Sequence, residues 1–466
     1  MNSSPRILII GGGFSGLTAA WRLSVLRPEW NVELIEASGR LGGVARTERR
    51  DGYLIEHGPD MFTSKEPWAM ELCREIGFED RLISTNTENR RAFIAFRKRL
   101  HPVPEGFTMM TPTKIWPLAM TPLLSWSGKL RMAWEYFQPA RSAEEGDESL
   151  ADFARRRLGQ EAYERLVQPL VGGVYTADPE KLSMAAALKP FVELERKHGG
   201  LLKAMRARRR EGKENTKASG ARYGVFCAPQ EGMGSLVEAL ADKLPNGCVR
   251  LNTAAESIVR DAGNWRVRIG AAEETYQGVI VAAPAHHAAK LLQQDQTELA
   301  EELSQIPYAG ASVVVAGYRR KHIRHRLNGF GLVAPMIENR RVLAVSFASV
   351  KFAGRAPEDQ VLLRTFVGGA CQPELAELSE KDTLQLVREE LADLLGVEGE
   401  PVFDQVVRWR QAMPQYHLGH TDRIARIEKL AEALPNFELA GNAYRGVGIP
   451  FCIRSGNQAA ERLTQE

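Results

Sequence analysis

The chain has 466 residues, 44% of them apolar and 26% charged, with a formal net charge of +3. That balance describes a soluble globular protein of two or three domains and excludes a nucleic-acid binder driven by excess basic charge. No apolar run reaches the roughly eighteen residues of a membrane span, and five dispersed cysteines without a C-x-x-C pair suit reduced thiols in a cytoplasm better than a disulfide framework.

A short apolar run at 7–10 reads as a buried parallel strand, and it follows Met1 too closely to leave room for a secretory signal. Gly11, Gly13 and Gly16 come next in G-x-G-x-x-G spacing, ahead of a helical run over 17–26. The first glycine makes the tight turn, the second admits a pyrophosphate against the backbone, and the third packs helix against strand. The helix N-terminus offers free N–H groups and partial positive charge to a diphosphate. A second strand, 32–35, ends in Glu36, placed to accept hydrogen bonds from an adenosine ribose and to disfavour a 2′-phosphate. Strand, loop, helix, strand and acid in this order predict a dinucleotide site.

Beyond Glu36, residues 37–47 carry Arg40, Gly42, Gly43 and Arg46. A nicotinamide domain usually runs straight into its next strand and helix. A second glycine pair between arginines fits a loop beneath a bound cofactor, with Arg40 or Arg46 on phosphate, or else an ordinary surface turn. Residues 51–60, ending in Glu56-His57-Gly58-Pro59-Asp60, predict turn, strand and turn; a helix is expected over 67–76. From 90 onward the character changes. An alternating run turns at Arg97-Lys98-Arg99, then 113–126 mixes Trp116, Trp126 and prolines ahead of helices over 127–136 and 149–166. This stretch is a helical cap with an apolar core face, a membrane-interface patch, or both. Gly172-Gly173 beside Tyr175 fits either close approach of something flat or a helix C-cap. The basic run 201–217, with Lys203, Arg206, Arg208, Arg209, Arg210 and Lys213, is a solvated helix end or a phospholipid contact.

At 228–236 the chain returns to the nucleotide domain. A helix over 236–244, strands at 249–251 and 265–269, a buried strand over 278–284 ended by its proline, and a helix over 286–292 follow, and strands so late imply a domain interrupted by an insertion. Runs at 308–318, 341–349, 361–367 and 401–409 predict a mostly antiparallel sheet, with a helix over 380–395, as the floor of a substrate pocket. His417 and His420 lack a third ligand at metal spacing, so no metal is assigned. Finally 437–450 reads as a strand and a glycine loop before a helix over 452–463, whose N-terminus suits an anion or a ring edge.

The fingerprint and second glycine loop together resemble the flavoprotein family of amine oxidases, phytoene desaturases and protoporphyrinogen oxidases, which implies FAD. Three further elements sharpen the resemblance: Gly172-Gly173-Val174-Tyr175, Met413-Pro414-Gln415-Tyr416 through Gly419-His420, and Ala440-Gly441-Asn442-Ala443-Tyr444 through Gly448. With Asp147-Glu148-Ser149-Leu150 as a weaker fourth, they are similar to the oxygen-dependent protoporphyrinogen/coproporphyrinogen oxidases of heme biosynthesis, over nearly the whole chain. Phe451 departs from that pattern, which carries an acid before the cysteine, and is expected to alter the flavin surroundings without abolishing binding.

The resemblance implies an α/β fold: a discontinuous Rossmann-like FAD-binding domain (1–85, 216–300 and 426–466), an inserted α+β substrate sheet domain (301–425), and a helical domain open to membrane contact (86–215). It implies FAD contacts at Gly11, Gly13, Phe14, Ser15, Gly16, Glu36, Ala37, Arg40, Gly42, Gly43, Gly58, Pro59, Asp60, Trp409, Gly441, Asn442, Gly448 and Ile449. Gly172, Gly173 and Tyr175 would lie beside a porphyrinogen macrocycle, with Gly173 as the catalytic position. Arg91 would hold a propionate or else stand as a surface charge beside Arg90, and Arg97 and Arg99 are spare cations for the additional propionates of coproporphyrinogen.

The implied reaction delivers hydride from a meso carbon to flavin N5, with oxygen as final acceptor and hydrogen peroxide released, in several rounds per substrate. The implied setting is the cytoplasm or the inner face of the membrane, as monomer or homodimer, with no nucleic acid partner and hand-over of product to ferrochelatase. The rival enzyme is a flavin amine oxidase, which usually wants an aromatic sandwich beside the ring and often a lysine. A flavin-free interaction protein on a degenerate fold is opposed by the intact fingerprint.

Overall fold

The apolar run Arg6–Ile10 is the central strand of a five-stranded parallel sheet. Asn31–Ile35 and then Val249–Arg250 lie on one side of it, Gly278–Val281 and then Phe437–Leu439 on the other. The computed structural model describes residues 4–210 and 225–465; Lys213 and the rest of the basic run to 217 fall outside these, as do the side chains of Arg208 and Arg209. Ile7 and Ile9 face one hydrophobic cluster and Leu8 and Ile10 the other, so an unbroken apolar run is what this doubly covered strand requires. Helices Phe14–Leu26 and Ile449–Leu463 cover the first face. Helices Ala285–Leu292, Thr297–Ser304 and His420–Glu432, with the three-stranded sheet spanning Ala255–Asp261, Asn264–Ile269 and Ala272–Tyr276, cover the second.

A seven-stranded sheet stands beside this domain, in the order Phe403–Pro414, Tyr308–Arg319, Gln360–Gly368, Ala344–Phe347, Gly331–Val333, Phe93–Phe96, Arg99–Pro102. Its neighbours are antiparallel except for the parallel contact of Leu332 with Phe93. Val314, Ala316, Leu363 and Val367 pack beneath helix Glu380–Leu395, while Val313, Val315 and Leu362 turn toward Tyr53 and Ile55 of the first domain. The strands Phe93–Phe96 and Arg99–Pro102, expected within the helical segment 86–215, instead close this sheet. All four residues of Phe93–Phe96 are buried, as a strand covered on both faces demands, and Arg97 and Lys98 make the turn with φ of 51° and 57°.

The helical part surrounds a cluster that includes Leu123, Met132, Phe153, Leu166 and Tyr416. Ser149 caps helix Leu150–Leu158 by accepting from Asp152 N (3.0 Å), but Gly159 (φ 91°) ends it, so the helix expected to reach 166 is broken there. Gly172 to Tyr175 form the last turn of helix Gln168–Tyr175, the helix-end alternative, stopped by Thr176 in the left-handed conformation (φ 47°), whose N–H reaches Gly172 O at 2.9 Å. Among the described residues no helix is long and apolar enough to cross a membrane. A patch of large apolar side chains nevertheless faces solvent between 115 and 137. Trp116 and Trp126, 74% and 76% exposed, stand with Ile115, Met120, Leu130, Trp134 and Phe137.

Candidate active site

Gly11 (φ 111°) turns the chain off the central strand while its N–H reaches Ile35 O at 2.9 Å. A Cβ on Gly16 would stand 1.8 Å from Gly11 O, so only glycine fits there. Gly13 differs: among the described residues nothing lies within 4 Å of where its Cβ would be. Gly43 of the second glycine loop faces it, with a Cβ position 3.4 Å from Gly13 Cα. The two loops therefore meet around open space at the start of helix Phe14–Leu26.

The last helix runs beside this one. Ser15 Oγ donates to Cys452 O (3.0 Å), Arg22 pairs with Glu461 (3.0 Å) and Arg27 donates to Thr464 O (3.0 Å), a register that runs Ile449–Leu463 parallel to Phe14–Leu26. Gly456 permits the contact, since a Cβ there would lie 2.2 Å from Ser15 O. Both helices start at a glycine, Gly13 and Gly448, without a side-chain cap. Two helix N-termini thus lie side by side, each with uncapped N–H groups and a positive dipole end of the kind that suits an anion such as a diphosphate.

Glu36 follows strand Asn31–Ile35 and is held rigidly: its carboxylate accepts from Gly12 N (2.8 Å) and from Ser38 N (2.8 Å) and Oγ (2.7 Å). Ala37 beside it is exposed. Gly42 (φ 101°) donates to Gly12 O at 2.8 Å, tying the glycine loops together. Arg40 laces its own loop, donating to the carbonyls of Leu41 (3.1 Å), Gly43 (2.6 Å) and Ala45 (3.1 Å). Its guanidinium shapes the cradle, and Arg46 is exposed.

Where the two sheets meet, His57-Gly58-Pro59-Asp60 is clamped from the seven-stranded side. Trp409 Nε1 donates to His57 O (2.8 Å), and Arg364 donates to Gly58 O. A Cβ on Gly58 would stand 2.0 Å from Val44 O. Asp60 pairs with Lys351 (2.5 Å) and Arg364 (3.1 Å), both buried cations. Burial alone would raise the Asp60 carboxyl, but Lys351 and Arg364 outweigh it and hold it at about 2. Burial lowers the Lys351 ammonium in spite of Asp60. Neither cation is among the expected site residues. Arg364 was signalled by its isolation in the apolar run 361–367, because a cation on a covered strand needs an acid; no comparable signal marks Lys351.

On the substrate side, the glycine turn rests against the seven-stranded sheet: a Cβ on Gly173 would lie 3.2 Å from Val333 Cγ1 and 3.9 Å from Ala344 Cβ. Gly172 is buried, and the Tyr175 hydroxyl donates to Ala187 O (3.1 Å), which leaves ring surface as what Tyr175 offers. Arg91 is exposed just ahead of Phe93–Phe96, and its guanidinium pairs with no carboxylate among the described residues. Arg97 lies over the Phe96 ring (5.2 Å), and Arg99 is exposed.

The loop 441–448 precedes the last helix. Gly441 (φ 143°) donates to Ser455 Oγ (3.0 Å), while Tyr416 and His420 grip Asn442, Tyr444 and Gly446 from outside. Phe451 turns toward helix Pro67–Glu75, its ring 5.5 Å from that of Trp68, with the Arg454 cation over both rings at 5.1 and 4.5 Å.

An interrupted parallel-sheet domain whose first and last helices begin side by side without caps, joined to a second sheet, is the α/β FAD-binding fold of a flavin-dependent oxidoreductase. The chain belongs to the flavin containing amine oxidoreductase family, whose model matches residues 14–464, and its cofactor is FAD. It is 33% identical to coproporphyrinogen III oxidase of Bacillus subtilis (strain 168), over 98% of this chain and 97% of that one. It is 30% identical to protoporphyrinogen oxidase 2 of Arabidopsis thaliana, over 98% and 94%. A crystal structure from Exiguobacterium sp. 255-15, assigned as a protoporphyrinogen oxidase, superposes over all of both chains with a TM-score of 0.87 at 30% identity. A putrescine oxidase structure, at TM-score 0.71 and 16% identity over 99% of each chain, shares the fold.

Proposed function

We propose that this protein oxidises a porphyrinogen, coproporphyrinogen III or protoporphyrinogen IX, to the porphyrin in heme biosynthesis, with oxygen as electron acceptor and hydrogen peroxide as by-product. The observation that carries the proposal is similarity along the full chain to enzymes named for these substrates. A flavin amine oxidase usually wants an aromatic sandwich beside the ring and often a free lysine. The buried lysine next to Gly58-Pro59-Asp60, Lys351, is instead ion-paired with Asp60.

In this reading the uncapped N–H groups at Gly13, Phe14 and Ser15, with those at Gly448 and Ile449, bind the diphosphate, and Glu36 accepts from the ribose. Gly58, Pro59, Asp60 and Trp409 bracket the ring end, held by Arg364 and Lys351. Bound FAD supplies the two-electron redox chemistry. Gly172 and Gly173 give the macrocycle a surface without side chains, and Arg91 meets a propionate in a charge-assisted pair. No acid–base dyad is required of the protein.

The exposed tryptophans of 115–137 support peripheral contact with the inner face of a membrane, where porphyrin could pass directly to a ferrochelatase. Incubation of the aerated protein with each porphyrinogen in turn, followed by porphyrin fluorescence and peroxide release, tests the activity. A rate above that of the protein-free control is expected with at least one substrate, and the control rate with both would overturn the proposal.

A further inference from the structure

Tyr416 and His420 are absent from the expected cofactor set, yet they are what fixes the loop 441–448. The Tyr416 hydroxyl accepts from Gly446 N (2.7 Å) and donates to Asn442 O (2.6 Å), so one phenol spans both limbs of the loop. Its ring stacks on the His420 imidazole, centroids 4.1 Å apart and planes 15° from parallel. His420 in turn donates from Nε2 to Tyr444 O at 3.1 Å. Both side chains are buried. Burial pushes the imidazole down to about 4, so it is neutral near pH 7, with its single proton on Nε2.

The platform under Tyr416 comes from elsewhere in the chain. Its carbonyl accepts from Ser183 N (2.8 Å), Leu418 N donates to Lys181 O (2.9 Å), and Gln415 N donates to Pro307 O (2.8 Å). The phenol therefore joins the end of strand Phe403–Pro414 and the helical segment to a loop that has no strand pairing among the described residues. Gly441 (φ 143°) and Gly446 (φ 129°) give that loop glycine's freedom to take other conformations. Without the hydroxyl, Gly446 N and Asn442 O lose their partner, and Gly446 stands only two residues ahead of Gly448, where the last helix begins with uncapped N–H groups.

We propose that Tyr416 and His420 are positioning residues for FAD: Tyr416 sets the loop 441–448, and with it the N-terminus at Gly448, in the conformation that receives the cofactor, and His420 fixes the Tyr416 ring. This rests on assigning the loop to FAD.

The test uses flavin-stripped full-length protein titrated with FAD, comparing wild type with Tyr416→Phe and His420→Phe. The first removes only the hydroxyl; the second keeps a stacking ring and removes the N–H. Two lost hydrogen bonds are expected to raise the Kd for FAD at least about tenfold in Tyr416→Phe, and one about threefold in His420→Phe. Apo-protein circular dichroism and melting midpoint should stay within a few degrees of wild type. A Kd within twofold of wild type in both variants overturns the proposal, as does a weakening matched by an equal loss of apo-protein stability. Should Tyr416→Phe not fold, the His420→Phe Kd decides; failure of both to fold assigns them a purely structural role and overturns it. Wild type that takes up no FAD would instead sink the cofactor reading itself.

Discussion

The Ser15 hydroxyl donates to the carbonyl of Cys452 at 3.0 Å, locking the opening helix to the last one at the end where both present uncapped N–H groups. Residues from opposite ends of the chain thereby bring two helix N-termini together, and the geometry there depends on how closely the helices approach.

Gly456→Ala tests that closeness. The new Cβ would meet Ser15 O at 2.2 Å, and a backbone atom cannot swing aside as a side-chain tip would. Overpacking of this kind costs about 1–3 kcal/mol. A lowered urea midpoint with reduced flavin content in the purified protein is expected, whereas Ser15→Ala, which deletes one hydrogen bond, should cost only about 1 kcal/mol.

Asp60→Asn removes the only carboxylate within salt-bridge distance of the buried Lys351 and Arg364 among the described residues. Leaving buried cations without a counter-charge costs about 3–5 kcal/mol. Chemical denaturation should show that loss, and Asp60→Asn combined with Lys351→Met should recover part of it.

Acid stability depends on Asp60 and on two histidines, His420 and His286 at the start of helix Ala285–Leu292. Burial holds His286 and His420 at about 4, below the ordinary value near about 6.5. The unfolded chain binds protons first, so their contribution is complete above about pH 6.5 and declines as pH falls toward 4. Asp60, depressed to about 2, keeps its contribution above about pH 4 and loses it from there down. Melting midpoints recorded from pH 8 to 3 should fall below about pH 6.5 and more steeply below about pH 4, with His420→Phe flattening the first part.

The apolar patch between 115 and 137 makes a separate prediction. Wild-type protein should sediment with vesicles containing anionic lipid, and replacing Trp116, Trp126 and Trp134 by serine should weaken that binding at least about tenfold without changing turnover in detergent-free solution.

What could be read in the sequence divides by distance along the chain. The opening strand, its glycines and Glu36 were legible because each answers a local backbone demand. Helix Glu380–Leu395 was legible from its apolar spacing. The place of Phe93–Phe96 was not, since its neighbour Leu332 lies far away in sequence. Two glycines at 172–173 read equally as a close-approach surface or a helix end; they fall in the last turn of a helix, with Gly173 packed toward Val333 and Ala344. In the Asp60, Lys351 and Arg364 cluster only Arg364 carries a local signal, its place in an apolar run, and nothing near Lys351 or Asp60 in sequence shows that they meet it. Two nearby histidines suggested a metal question, while His420 in fact supports Tyr416 and the Tyr444 carbonyl.

Anaerobic mixing of the FAD-loaded protein with one equivalent of substrate is the most direct measurement, read as flavin absorbance near about 450 nm. Bleaching by coproporphyrinogen III or protoporphyrinogen IX, reversed when oxygen is admitted, is the expected result. Bleaching by putrescine with neither porphyrinogen effective, or no bleaching at all, would contradict the porphyrinogen assignment.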